Sequence, residues 1–360
     1  MSPQARRGFC LLVLALATSS FAQTTVPNSE GKGAIAAILH ALDQYQVVAL
    51  GEIHGGEKEH TLFRALLSDA RFPPKVNDIV VEFGNAFYQL LVDHYVSGED
   101  VPLADLRQVW RTTTQLMAWD SPVYEQFYLA VRLMNQRLPA SRRVRVLLGD
   151  PPVDWTKVRK RADIDWNRDA FLYSVIDRVL TKGRKGLIIA GAGRLGRNTG
   201  VQLRPGSTAT SRPEVVFGGK TAMNSLDDRY PGRIFVALPY TGFGDSTPAR
   251  EPRISGWPIP SVVLTNQISL GGMPYELPFH VDGVAKVPSV PLKQVADALI
   301  YYGPQRSLRR IPAPPENYRD DRYFEELNRM YQLVSEGRGL NRAELLRDKT
   351  NDPLPKNPNR

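Results

Sequence analysis

Short unbroken apolar runs alternate along the chain with longer segments whose apolar residues recur every three or four positions. The runs fall at 47–50, 78–83, 144–150, 186–193 and 233–240. Runs of this length without alternation predict strands buried on both faces. The spaced segments predict helices. Ile35, Ile38, Leu39 and Leu42 share one face over 33–45, and Leu62, Ala65, Leu66 and Ala70 share one over 59–70. Further helices are predicted over 86–96, over 122–137 with Phe127, Val131 and Met134 inward, and over 169–180. Two more, 316–333 and 342–349, close the chain. Strands alternating with such helices predict an α/β fold: a parallel or mixed central sheet with helices on both faces. No repeat of roughly 20 to 50 residues suggests a solenoid. One domain is expected over 23–350. The segments 199–222 and 242–261, rich in Gly, Pro, Ser and Thr, read as long loops, and 351–360 as a disordered tail.

The first 22 residues stand apart. Arg6 and Arg7 precede an apolar stretch, 9–18, that is too short to span a bilayer. Ser20 and Ala22 then place small residues where a signal peptidase reads them. A signal peptide over 1–22 and an exported, periplasmic or secreted, protein are expected, with no transmembrane segment in the mature chain. Cleavage leaves 338 of the 360 residues and lowers the formal charge from +9 to +7. It also removes Cys10, the one cysteine, and with it disulfides, thiolate nucleophiles and cysteine-ligated zinc. The basic residues are scattered, with no interleaved aromatic stripe, so nucleic acid is not expected as a partner.

Candidate chemistry collects at the strand ends. The first strand runs into Gly51-Glu52-Ile53-His54, the second carries Glu82, the third ends on Asp150, and the fourth runs into Gly191-Ala192-Gly193-Arg194. In a parallel sheet these ends share one edge, where α/β proteins bind ligands. Each residue also has a structural explanation. Glu82 can be the buried partner of an arginine, since a buried carboxylate must be paired, hydrogen-bonded or neutral. Asp150 can cap the segment after it. His60 can be a first-turn helix residue. His54, on a Gly-flanked loop, is the hardest to explain structurally and is expected to add little to packing. Gly191, Gly193 and Gly196 fit a GxGxxG spacing, but no acidic residue stands about twenty positions on at the end of a next strand, as a dinucleotide site needs. HExxH, Walker A and GxSxG patterns are absent.

The stretches VVALGEIHGGEKEH, DIVVEFGN and LIIAGAGRLG resemble the haem-binding-uptake and TIKI superfamily. That group includes ChaN-like haem-binding proteins, TIKI and TraB-type proteins, and erythromycin esterases. The Glu-x-His spacing with a downstream histidine is most similar to the ChaN-like branch, since the esterases have Glu-x-x-His. The resemblance covers about 33–196 and continues weakly over 296–304. It implies that position 194 often holds a histidine. Arg194 replaces an imidazole with a permanent cation. His280 is a candidate replacement, and Arg64 completes the candidate set.

Two readings follow. In the first, the protein hydrolyses an ester or amide. His54 is the general base, Glu52 and Glu82 orient it, and Arg194 or backbone amides near Gly191 stabilise the developing negative charge. A variant adds a divalent metal on Glu52, His54, Glu82 and Asp150. In the second, the protein binds haem or a metal without catalysis, with His54, His60 or a tyrosine as iron ligand; Tyr88, Tyr124 and Tyr128 read as core or rim residues. Either way the partner is a small molecule, a substrate or haem.

Overall fold

A computed structural model describes residues 33–204, 214–240, 257–266, 274–275 and 290–347. The chain runs α1 (Gly33–Gln44), β1 (Val47–Glu52), α2 (Glu57–Ser68), β2 (Asp78–Asn85), α3 (Gln89–Ser97), α4 (Leu103–Arg111), α5 (Pro122–Gln136) and β3 (Arg145–Asp150). It continues through α6 (Arg168–Thr181), β4 (Gly186–Gly191), α7 (Ala192–Leu195), β5 (Gly200–Arg204), β6 (Glu214–Gly219), α8 (Ala222–Arg229) and β7 (Ile234–Tyr240). The last strands are β8 (Ser261–Leu264), β9 (Pro274–Tyr275), β10 (Val290–Pro291) and β11 (Ala298–Tyr301), followed by helices Asp321–Val334 and Arg342–Leu345.

Seven strands form the central sheet in the order β3-β2-β4-β1-β7-β11-β8. All neighbours are parallel except β8, which pairs antiparallel with β11 at one edge. The expected α/β architecture is present, in its mixed form. The strands lack alternation because both faces are covered. Val48, Leu50, Ile79, Val81 and Ile189 pack on one face against α1 to α5. Their sequence neighbours Val47, Ala49, Val80, Ile188 and Ala190 pack on the other, against α6 to α8. Each fully buried aliphatic side chain contributes about 1.5–3 kcal/mol, and both faces gain it. A third, smaller cluster joins Val153, Trp155 and Ile164 to Tyr318, Tyr323, Leu327 and Met330.

Several boundaries differ from expectation. The expected loop at 199–222 contains the β5–β6 hairpin and the start of α8. The fourth strand stops at Gly191, so Arg194 lies on the single turn α7. Asn85 ends β2 by accepting a hydrogen bond from the Phe87 N–H, which starts a 3-10 turn ahead of α3. The closing helix begins at Asp321, after a 3-10 turn over Pro315–Arg319. The last expected helix is one turn only. Positions 1–22, most of the loop at 242–261, His280 and the tail at 351–360 lie outside the described residues.

Candidate functional site

β1 carries Glu52 to the C-terminal edge of the sheet, and the chain turns at once. Gly55, with φ of 75°, takes a left-handed conformation that a side chain would disfavour. Its N–H donates to the Tyr124 hydroxyl at 2.9 Å. The turn is held from outside by Arg310, whose Nε donates to the His54 carbonyl at 2.7 Å. His54 is thereby folded back over the end of its own strand. Its Nδ1 lies 3.0 Å from Glu52 Oε1, and its ring packs edge-on against Trp119 with centroids 4.3 Å apart. The expectation that His54 adds little to packing is corrected by this contact.

Glu52 is the centre of the cluster. Its Oε2 lies 2.8 Å from His60 Nε2, and Tyr124 donates to Oε1 at 3.3 Å. Burial alone would push this carboxyl up, but the hydrogen bonds from His54 and His60 hold it down to about 2. An ionised Glu52 accepts from both imidazoles, which assigns the proton of neutral His54 to Nδ1. Nε2 is left with a free lone pair and makes no hydrogen bond among the described residues. The His54 side chain is 28% exposed, whereas that of His60 is fully buried.

A second network sits beside the first. Glu82 Oε2 accepts the Gly191 N–H at 2.7 Å. Its Oε1 accepts Arg168 Nη2 at 2.9 Å and Arg194 Nε at 2.5 Å. Arg168 reaches on to Asp150 Oδ1 at 2.9 Å, and Arg194 pairs with Asp169. Thr114 completes Asp150 with its N–H at 2.6 Å and its hydroxyl at 2.7 Å. Burial still pushes the Asp150 carboxyl above its ordinary value, with Arg168 and Thr114 offsetting only part of the shift. Gly191 separates the two networks. A Cβ there would lie 2.9 Å from His54 Cε1 and 3.2 Å from Glu82 Oε2, so only glycine lets both side chains approach.

The structure therefore brings Glu52, His54, His60, Glu82, Asp150 and Arg194 together at one edge. Arg64 does not join them; it is one turn beyond His60 on α2 and donates to Thr61. Asp150 does not cap the following segment, since its oxygens are taken by Thr114 and Arg168. The Gly191 amide is already spent on Glu82, which removes it as an oxyanion donor. Sequence reasoning missed Arg168, Tyr124, Trp119 and Glu59. Arg168-Asp169 at the start of the helix after the third strand was the available signal, because that helix must begin near the same edge.

The carboxylates do not fit a divalent metal. Both oxygens of Glu52, Glu82 and Asp150 already accept hydrogen bonds from fixed donors. No group of three His, Asp or Glu residues among the described residues is arranged to hold one. For haem the structure narrows the expected ligands. His60, Tyr124 and Tyr128 are fully buried and cannot reach an iron from outside. That leaves His54, whose Cε1 edge faces Gly191, as the accessible imidazole among the expected ligands.

No protein-family model matches the sequence, and no curated protein does. Among solved structures, an erythromycin esterase mutant in its open conformation aligns with a TM-score of 0.45 at 10% identity, over 74% of this chain and 92% of its own. A Bacillus cereus protein aligns with a TM-score of 0.47 at 10% identity, over 77% and 94%. ChaN of Campylobacter jejuni, which binds haem cofacially, aligns with a TM-score of 0.34 at 14% identity, over 59% and 88%. Identities this low assign this chain no family and no residue a role.

Proposed function

We propose that the protein is an exported hydrolase of an ester or amide bond in a small molecule, with His54 as general base. The observation that carries this reading is the 3.0 Å contact between His54 Nδ1 and an ionised, buried Glu52, which leaves Nε2 as an open acceptor. In the reaction Nε2 takes a proton from water as the water oxygen attacks the acyl carbon. Glu52 stabilises the imidazolium that forms. The same proton then passes to the departing alkoxide or amine, releasing a carboxylic acid and an alcohol or amine. Glu82 carries Arg194, 23% exposed, to the neighbourhood of the imidazole, where negative charge would develop on the acyl oxygen. The guanidinium charge is shared with Glu82 and Asp169, so its help to the oxyanion is correspondingly reduced.

The test is His54→Asn. An Asn amide can keep the donation to Glu52 that Nδ1 makes, while the base at Nε2 is lost. Turnover on a panel of esters and amides should fall by about 10²- to 10⁴-fold, with a lowered thermal midpoint from the lost ring contact with Trp119. Turnover unchanged by the substitution would sink the general-base role. A haem absorption band that depends on His54, in a protein without turnover, would replace the hydrolase with a haem-binding protein.

A further inference from the structure

Behind the His54–Glu52 pair lies a buried acid that the proposed reaction does not use. Glu59, on the first turn of α2, is 2% exposed. Its carboxyl is folded back onto Gly56, where a Cβ would lie 2.4 Å from Oε2. Its Oε1 is buried without a hydrogen-bond partner. Two neighbouring polar atoms share that condition: His60 Nδ1, on the far side of the ring that holds Glu52, and the Tyr302 hydroxyl. Buried polar atoms are nearly always partnered, and leaving a charged one unpartnered is costly. The cost falls if Glu59 carries a proton, because the neutral acid has no charge to solvate.

The groups facing Glu59 are few. Its own backbone N–H lowers its proton affinity, Glu52 from β1 raises it, and Lys58 and Arg310 lower it less. Lys58 is turned away, its Nζ donating to the Tyr302 carbonyl and to Ser307 Oγ. Arg310 is held by the His54 carbonyl. Tyr302 contributes a buried hydroxyl and no charge. Burial is the largest influence and pushes the Glu59 carboxyl up to about 7.

We infer that Glu59 is a buried proton store and a positioning residue, which sets the charge on the His54–Glu52–His60 line and so the pH at which His54 is a free base. The inference rests on the general-base reading for its effect on turnover, but the proton store itself does not. While Glu59 holds its proton, Glu52 is the one negative charge beside the two imidazoles. As pH rises Glu59 releases its proton, and the second negative charge draws protons onto the imidazoles. Proton loss from Glu59 and proton retention on His54 are thus coupled.

The experiment compares wild type with Glu59→Gln. Infrared difference spectra between pH 6 and pH 8 should show a buried protonated-carboxyl band lost in the wild type and absent in the variant. Histidine-ring NMR titration, assigned with His54→Asn, should show the His54 midpoint lowered by roughly half to one unit in Glu59→Gln. The acid limb of turnover should move by the same amount. Tyr302→Phe serves as the second variant, keeping Glu59 and its band. A wild-type protein lacking the band, or a His54 midpoint unmoved by Glu59→Gln, overturns the inference. A wild type without turnover that still shows the band and the midpoint shift discards the hydrolase and keeps the proton store.

Discussion

Arg168 ties two buried carboxylates together, and replacing it measures what that tie contributes. Its side chain is 11% exposed, against 2% for Glu82 and none for Asp150. Arg168→Met keeps the aliphatic stem and removes the charge and both hydrogen bonds. Breaking a buried pair from one side usually costs about 3–5 kcal/mol, because the abandoned charge has lost its compensation. Glu82 keeps Arg194 and the Gly191 N–H, and Asp150 keeps both Thr114 donors, so the low end, about 3 kcal/mol, is expected here. At about 2 °C per kcal/mol for a chain of this size, the thermal midpoint should fall by roughly 6 °C. The loss should depend on pH. Asp150 already binds its proton more tightly in the folded protein than its ordinary value would give, and losing Arg168 strengthens this. A carboxyl raised in this way imposes no cost below its unfolded value and its full cost above its folded one. The penalty should therefore be small near pH 4 and largest at pH 7 to 8. Urea unfolding of wild type and variant at both ends of that range is the assay. Adding Asp150→Asn to Arg168→Met should recover part of the loss at neutral pH. A loss below about 1 kcal/mol at neutral pH, or an equal loss at both ends, would refute the account of Arg168 as the charge partner.

Gly191→Ala should lower turnover at least tenfold, because its Cβ would stand 2.9 Å from His54 Cε1, at a stability cost of about 1–3 kcal/mol; unchanged kinetics would show that the ring position does not matter. Glu52→Gln should flatten the acid limb of stability. With Glu52 held at about 2 against an ordinary 4.5, the wild type gains about 3 kcal/mol that is fully present above pH 4.5 and lost as pH falls through 2. Acid titrations of the two proteins that run parallel would contradict this.

The sheet was legible because its strands are buried on both faces and therefore appear as unbroken apolar runs. β11 is also a buried apolar run, and it escaped notice because it is short. Ala298–Tyr301 is four residues long, and only its place between β7 and β8 makes it a strand. α4, although amphipathic with Leu106, Val109 and Trp110 buried, and the β5–β6 hairpin are likewise short elements. At the edge, Glu52, His54, Glu82 and Asp150 could be read from position alone, since a strand's last residues go where the strand goes. Their partners could not. Arg168 lies 86 positions from Glu82, and Tyr124 lies 72 from Glu52. Pairings over such distances are fixed by how α5 and α6 pack against the sheet, and no local pattern records that.

The residue at position 194 shows why the partners matter more than the positions. The resemblance implies an imidazole there, and the sequence supplies a guanidinium. Read alone, Arg194 suggests a free cation waiting for an anion. In the fold it is spoken for, by Glu82 through Nε and by Asp169 through Nη1. The two arginines and three carboxylates of this network compensate one another and hold Glu82 rigid. Glu82 in turn takes the Gly191 amide, which fixes the floor against which His54 rests. Every carboxylate oxygen of Glu52, Glu82 and Asp150 is occupied by a donor. The base chemistry of the edge is thereby narrowed to Nε2 of His54. That is why substitutions at His54 and Gly191 should act on turnover, while substitutions at Arg168 should act first on stability.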